Sequence, residues 1–260
     1  MIERYEMLTC PEPDELKARL KAARETLAAQ QMKLKDKGLP VFVLFEGWGA
    51  AGKGTTLGRV IHDLDPRFFT ATSMHYPTAE ERRKPFLTRY FTQIPEKGRF
   101  EFLDSGWMSE VTRDVLNDTL DKKTYKRVTD SICRFERSLT DNGYLVLKFF
   151  FHITEKEQKK RINALLSSPE TEWQVGEFDL WENKHYKKCY KVYDDFLEDT
   201  DSASSPWYIV NAESKKWAAC QVMEAIVAGI DVALKNAALT VPLIQNIFPL
   251  IKMPKLADVP

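Results

Sequence analysis

Residues 41–56 constrain this chain more than any other segment. Val41-Phe42-Val43-Leu44-Phe45 is apolar at every position, and Glu46 leads from it into Gly47-Trp48-Gly49-Ala50-Ala51-Gly52-Lys53-Gly54. A helical pattern follows over 55–64. A run with no polar face suits a strand covered on both sides, as in a parallel sheet. Glycines let successive backbone amides converge on one anion. The helix behind the turn adds partial positive charge at its N-terminus, and Lys53 adds a full charge. The general pattern is GxxxxGK followed by serine or threonine; here Gly54 takes that last place and Thr55 comes next. Gly47, Gly52, Lys53, Gly54 and Thr55 are therefore the expected phosphate-binding residues.

The remaining pattern extends the same architecture. Strands are expected at 70–75, 99–103, 144–151 and 207–210. Helices are expected at 14–37, 79–93, 110–120, 125–141, 155–166, 182–198 and 214–235. Thr78 and Glu81 have capping-box spacing for the helix at 79–93. Alternation of this kind predicts an α/β fold, a parallel sheet between two helical layers. The expected division is an N-terminal helix over 1–37, a phosphate-binding domain over 38–236 and a proline-rich linker or docking tail over 237–260. Asp104 closes the strand of Phe100-Glu101-Phe102-Leu103, where phosphate-handling folds place a metal-binding acid.

Composition sets the limits. The chain has 260 residues, 43% hydrophobic and 29% charged, enough for one full core. No apolar stretch is expected to span a bilayer, and Met1-Ile2-Glu3-Arg4 does not open like a secretory signal, so cytoplasm is the expected location. The four cysteines are scattered without a CxxC pair, which predicts buried free thiols rather than zinc or disulfides. With 38 basic and 38 acidic residues, a polyanion would have to be met by locally concentrated charge.

Taken in order, these motifs resemble the family-2 polyphosphate kinases. Glu46-Gly47-Trp48-Gly49-Ala50-Ala51-Gly52-Lys53-Gly54 aligns without gaps to that family's Glu-Gly-x-Asp-Ala-Ala-Gly-Lys-Gly. Leu64-Asp65-Pro66-Arg67, Pro77-Thr78-Ala79-Glu80-Glu81-Arg82, Arg89-Tyr90, Ile94-Pro95-Glu96-Lys97-Gly98-Arg99, Asp104 with Trp107, Phe135-Glu136-Arg137-Ser138-Leu139 and Ser205-Pro206-Trp207 keep its order. The resemblance covers roughly 38–230 and is nearest to the first half of two-domain members that make ADP from AMP and polyphosphate. It implies a P-loop kinase-like fold with a helical lid, and Mg²⁺-dependent phosphoryl transfer between polyphosphate and an adenine nucleotide. In that scheme Lys53 and Asp104 are catalytic, with Asp104 at the metal. Arg82 and Arg89, and less directly Arg83, serve the nucleotide or phosphate side. Lys156, Lys160 and Arg161, with Lys159, form lid or polyphosphate-track charge. The implied partners are the substrates and a second homologous domain or second copy, with no nucleic acid or membrane.

Three departures fall at the chemistry. The family's cradle aspartate, which binds metal and helps activate the acceptor, is Gly49. The family's Asp-Arg-Ser-Trp-Tyr-Asn-Arg reads Asp104-Ser105-Gly106-Trp107-Met108-Ser109-Glu110, so one arginine is serine and another is an acid. Trp217 and Ala219 also stand where basic residues are expected. The resulting expectation is phosphate or nucleotide binding with weakened transfer. Two alternatives stay open: a degenerate half that shapes a partner domain's channel, and an ATP-dependent nucleoside monophosphate kinase.

Overall fold

The structure, a computed structural model, describes residues 1–2, 5 and 8–235. Five parallel strands form one sheet: β1 (Val41–Gly47), β2 (Phe69–Ser73), β3 (Phe100–Asp104), β4 (Leu145–His152) and β5 (Trp207–Asn211). Their spatial order is β2-β3-β1-β4-β5, with Val41 in register with Phe100 on one side and Leu145 on the other. The apolar run thus lies at the centre, and Val41, Phe42, Val43, Leu44 and Phe45 are fully buried. The order reverses at β1, and in open parallel sheets the crevice beyond the strand ends at such a reversal is where ligands bind.

Helices cover both faces. On one lie α1 (Pro13–Lys37), α2 (Lys53–Ile61) and α9 (Lys215–Lys235), with α1 packed along α9. On the other lie α4 (Trp107–Leu116), α5 (Lys122–Asp141) and α8 (Tyr186–Thr200). The α3 turn (Thr88–Phe91) precedes β3, while α6 (Glu155–Leu166) and α7 (Glu177–Lys184) pack together beside the C-terminal strand ends.

Several expectations need correction. The helix predicted at 79–93 is a 3₁₀ turn, Glu81–Arg83, followed by α3. The capping box does form, with Glu81 N–H donating to Thr78 Oγ1 at 3.2 Å and Thr78 N–H to Glu81 Oε2 at 2.8 Å. Pro85 then stops it, and Lys84 is extended at φ −90°, ψ 158°. The helix expected at 182–198 is two, α7 and α8, broken at His185. Of the four thiols only Cys189 and Cys220 are buried; Cys10 is exposed and Cys133 half-buried. Among the described residues one helix, α9, is long and apolar enough to cross a membrane by length and composition alone, contrary to the sequence reading. Its most apolar window is 72% buried, packed on α1 and β4, as for a core helix. Trp217, expected to be basic, is buried in that packing with Arg19 4.9 Å from its ring centre. The proline-rich tail lies outside the described residues.

Candidate phosphate-binding site

The loop between β1 and α2 is shaped by close contacts on every side. Gly47 has φ +120°, and a Cβ there would stand 2.6 Å from Phe151 N, so β4 leaves room only for glycine. Trp48 turns under the loop, its ring stacked on Tyr186 at 3.9 Å and its indole N–H donating to His152 Nδ1 at 3.2 Å. Burial pulls His152 down to about 4, which keeps Nδ1 neutral and able to accept. Lys53 donates from its ammonium to the carbonyls of Gly47 at 2.9 Å and Trp48 at 3.0 Å. The first-turn amides of α2 have no intrahelical acceptor, and Gly54 and Thr55 are exposed there.

Asp104 faces this helix from the end of β3. Its Oδ2 is 3.5 Å from where a Cβ of Gly54 would be. Among the described residues its carboxylate takes no hydrogen bond or ion pair. Burial raises its pKa and nearby Lys53 opposes that rise. On β1, Glu46 is fully buried and fixes the start of α4, accepting the N–H groups of Met108 at 3.0 Å and Ser109 at 3.2 Å and the Ser109 hydroxyl. Burial pushes it up to about 7.

The other expected residues divide. Lys156 and Lys160 on α6 are exposed, and Lys160 pairs with Glu157 at 3.1 Å. Arg161 turns inward instead of toward a phosphate track. Its Nη1 donates to Ala50 O at 3.3 Å and Ala51 O at 3.1 Å, and its Nη2 to Ala212 O at 2.8 Å and Glu213 O at 3.0 Å. Arg161 is therefore a tie that holds the loop to the end of β5. Arg82 is partly exposed and bound to Asp114 at 2.9 Å. Arg89 is half-buried, donating to His75 O at 2.6 Å and lying 3.5 Å from Glu110. Arg82 and Arg89 line a cavity of about 570 Å³ beyond β2, whereas Lys53 lines a separate one of about 170 Å³ over the loop.

Three residues at the loop escaped the sequence reading. Lys215, at the start of α9, lies alongside, its Cγ 3.4 Å from where a Cβ of Gly52 would be. Glu182 and Asp179, both on α7, sit over Gly49; Glu182 accepts the Gly49 N–H at 2.9 Å.

A parallel sheet whose central strand ends in such a loop, with an acid closing the next strand, defines a P-loop phosphotransferase of the kinase type. Comparison with known proteins gives the particular family. Residues 11–238 match the model of Polyphosphate kinase 2 (PPK2), and the chain belongs to that family. It is 28% identical over 207 residues to the ADP-polyphosphate phosphotransferase 3 of Rhizobium meliloti, covering 80% of this chain and 73% of that one. It is 30% identical over 212 residues to the Polyphosphate:AMP phosphotransferase of Pseudomonas aeruginosa, covering 81% of this chain but 43% of the relative. The crystal structure of Polyphosphate Kinase 2 from Arthrobacter aurescens TC1 superposes with a TM-score of 0.81 at 28% identity, over 90% of this chain and 83% of that one.

Proposed function

We propose that this chain is a polyphosphate-dependent phosphotransferase domain acting on an adenine nucleotide, with slowed turnover. In the reaction, the terminal phosphorus–oxygen bond of polyphosphate breaks and a bond forms to a terminal phosphate oxygen of the nucleotide. Polyphosphate shortened by one unit leaves. The same groups serve the reverse direction. Such transfer needs little covalent help from the protein, so positioning and charge carry it. The observation that supports this reading most is Asp104 facing the helix that carries Lys53, within a family whose named relatives use polyphosphate.

Mg²⁺ belongs to this reading. Asp104 is an oxygen donor with no competing partner among the described residues, which fits a hard cation held by one or two carboxylates plus substrate phosphates. Once bound, the ion would neutralise phosphate charge. Lys53 would hold the phosphate oxygens beside it, and the α2 amides would orient them. Slowed turnover follows from Ser105 and Glu110, because a single transition-state arginine in such enzymes is worth roughly 10³–10⁵ in rate.

The deciding experiment compares polyphosphate with ATP as donor to AMP and ADP, with Mg²⁺ and with Lys53→Ala. Transfer from polyphosphate below about 1 per second, lost in Lys53→Ala, is the expected result. Transfer from ATP alone would favour a nucleoside monophosphate kinase. Phosphate affinity unchanged in Lys53→Ala would overturn the assignment.

A further inference from the structure

Arg113 on α4 has its guanidinium held by two rings from separate parts of the fold. The central carbon lies 4.5 Å from the ring centre of Tyr76, in the loop after β2, and 4.5 Å from that of Phe178, in the first turn of α7. Tyr76 is itself fixed, its hydroxyl donating to Asp114 and Arg82 lying 4.8 Å from its ring centre. Arg113, Tyr76 and Phe178 all line the cavity of about 170 Å³ that contains Lys53. Lys53 and Arg113 are the lysine and arginine side chains that line it, against the carboxylates of Glu46, Glu110, Asp179 and Glu182. Among the described residues Arg113 makes no hydrogen bond or ion pair. A guanidinium gripped through ring faces keeps its in-plane N–H groups free to donate. An arginine that pairs with none of the carboxylates around its own cavity keeps those donors for an incoming anion.

The place on α4 matters too. Residues three apart share a helix face, so Arg113 stands one turn beyond Glu110, the position where the family pattern has an arginine. Glu110 is taken up by Arg89 and the Tyr90 hydroxyl. We propose that Arg113 is the guanidinium that meets the phosphate chain over Lys53, carried one turn further along α4 than the arginine of the family pattern. The inference rests on the functional reading above. As the phosphorus–oxygen bond to the shortened polyphosphate breaks and the bond to the nucleotide oxygen forms, negative charge lies on the oxygens around the transferred phosphorus. The free N–H groups of Arg113 donate to those oxygens, and no proton is transferred. Tyr76 and Phe178 fix the direction of the donors before substrate arrives, which spares the cost of ordering them during reaction.

The test compares wild type with Arg113→Met, Arg113→Lys and Lys53→Ala. The measurements are melting temperature, affinity for inorganic tripolyphosphate by titration calorimetry, and polyphosphate-dependent phosphorylation of ADP resolved into kcat and KM. Methionine fills the space between the rings without charge, so Arg113→Met is expected to melt near wild type. Its tripolyphosphate affinity should fall roughly tenfold, the scale of one charged hydrogen bond. Its kcat should fall by roughly 10³, the lower end of what a transition-state arginine is worth, with KM for ADP little changed. Arg113→Lys keeps the charge but not the planar donors, so affinity stays near wild type while kcat still drops. Loss of packing alone does not separate affinity from kcat in that way. Wild-type affinity and kcat in Arg113→Met overturn the inference, and loss of phosphate affinity in Lys53→Ala within the same series leaves the functional reading standing. If Arg113→Met melts well below wild type, Arg113→Lys decides, and an unchanged kcat there overturns the inference. Where wild type binds tripolyphosphate without turning over, affinity alone decides, and an unchanged value in Arg113→Met overturns it. Wild type without affinity for tripolyphosphate removes both readings.

Discussion

Glu110 Oε2 stands 3.5 Å from Arg89 Nη1 and accepts the Tyr90 hydroxyl at 2.7 Å. The two ionic side chains are only 10% and 8% exposed. From the sequence, Glu110 is an acid where the resembled family carries an arginine; in the structure its charge faces Arg89. Removing Glu110 leaves Arg89 its bond to His75 O and Glu81 at 3.8 Å, but strips the Tyr90 hydroxyl of its acceptor, a cost of about 1–3 kcal/mol. Glu110→Ala is therefore expected to lower stability by about that much in urea unfolding. A variant as stable as wild type would refute the pairing.

Arg161 carries a second prediction. Its fork serves four backbone carbonyls, two in the phosphate loop and two after β5. An ammonium cannot reproduce that planar set of donors. Arg161→Lys and Arg161→Ala should both destabilise, the latter by roughly 3 kcal/mol, since buried carbonyls lose charged donors. Thermal melts with and without ligand would check this, and nucleotide affinity should weaken alongside stability.

Gly47→Ala tests the loop's entry. The added methyl would lie 2.6 Å from Phe151 N, at a φ of +120°. Overpacking and backbone strain together predict a loss of roughly 3 kcal/mol, read as a lower denaturation midpoint. Gly58, with nothing within 4 Å of its added Cβ, is the control, and its alanine variant should be at least as stable as wild type.

Glu46 predicts a pH dependence. Burial raises it from 4.5 to about 7, so the folded state holds a proton that the unfolded chain has released. Between those values the folded state binds more protons, and stability falls as pH rises. Below pH 4.5 both states are protonated; above about 7 the penalty is complete. Glu46→Gln removes the titration, so the stability difference between variant and wild type should shift in the variant's favour from pH 5 to pH 8. Urea midpoints at the two values measure it, and a constant difference would contradict it.

Much of the architecture was legible because it is written locally. Short runs bounded by turns located all five strands to within a few residues, the half-exposed β2 among them, and the glycine turn located the loop. Pro85 could have warned against a helix through 79–93, but the capping box at Thr78 and Glu81 gave the stronger local signal. Asp179, Glu182 and Lys215 were invisible for a different reason. Their places at the loop come from the packing of α7 and α9, and the only local mark on Asp179 is its capping distance from Gly176. Arg161 was recognised as basic, yet its direction depends on which helix face meets Ala50 and Ala212, and charge counting does not supply that.

The bonds from Glu182 to Gly49 and from Arg161 to Ala51 join positions 133 and 110 apart in sequence. A nascent chain of 100 residues would hold the whole glycine turn and neither of these restraints. Long-range closures of this kind slow the search for the native state. The motif nearest the beginning of the chain would be among the last parts to acquire its working shape, and a shortened fragment ending before α6 should keep the signature without the affinity.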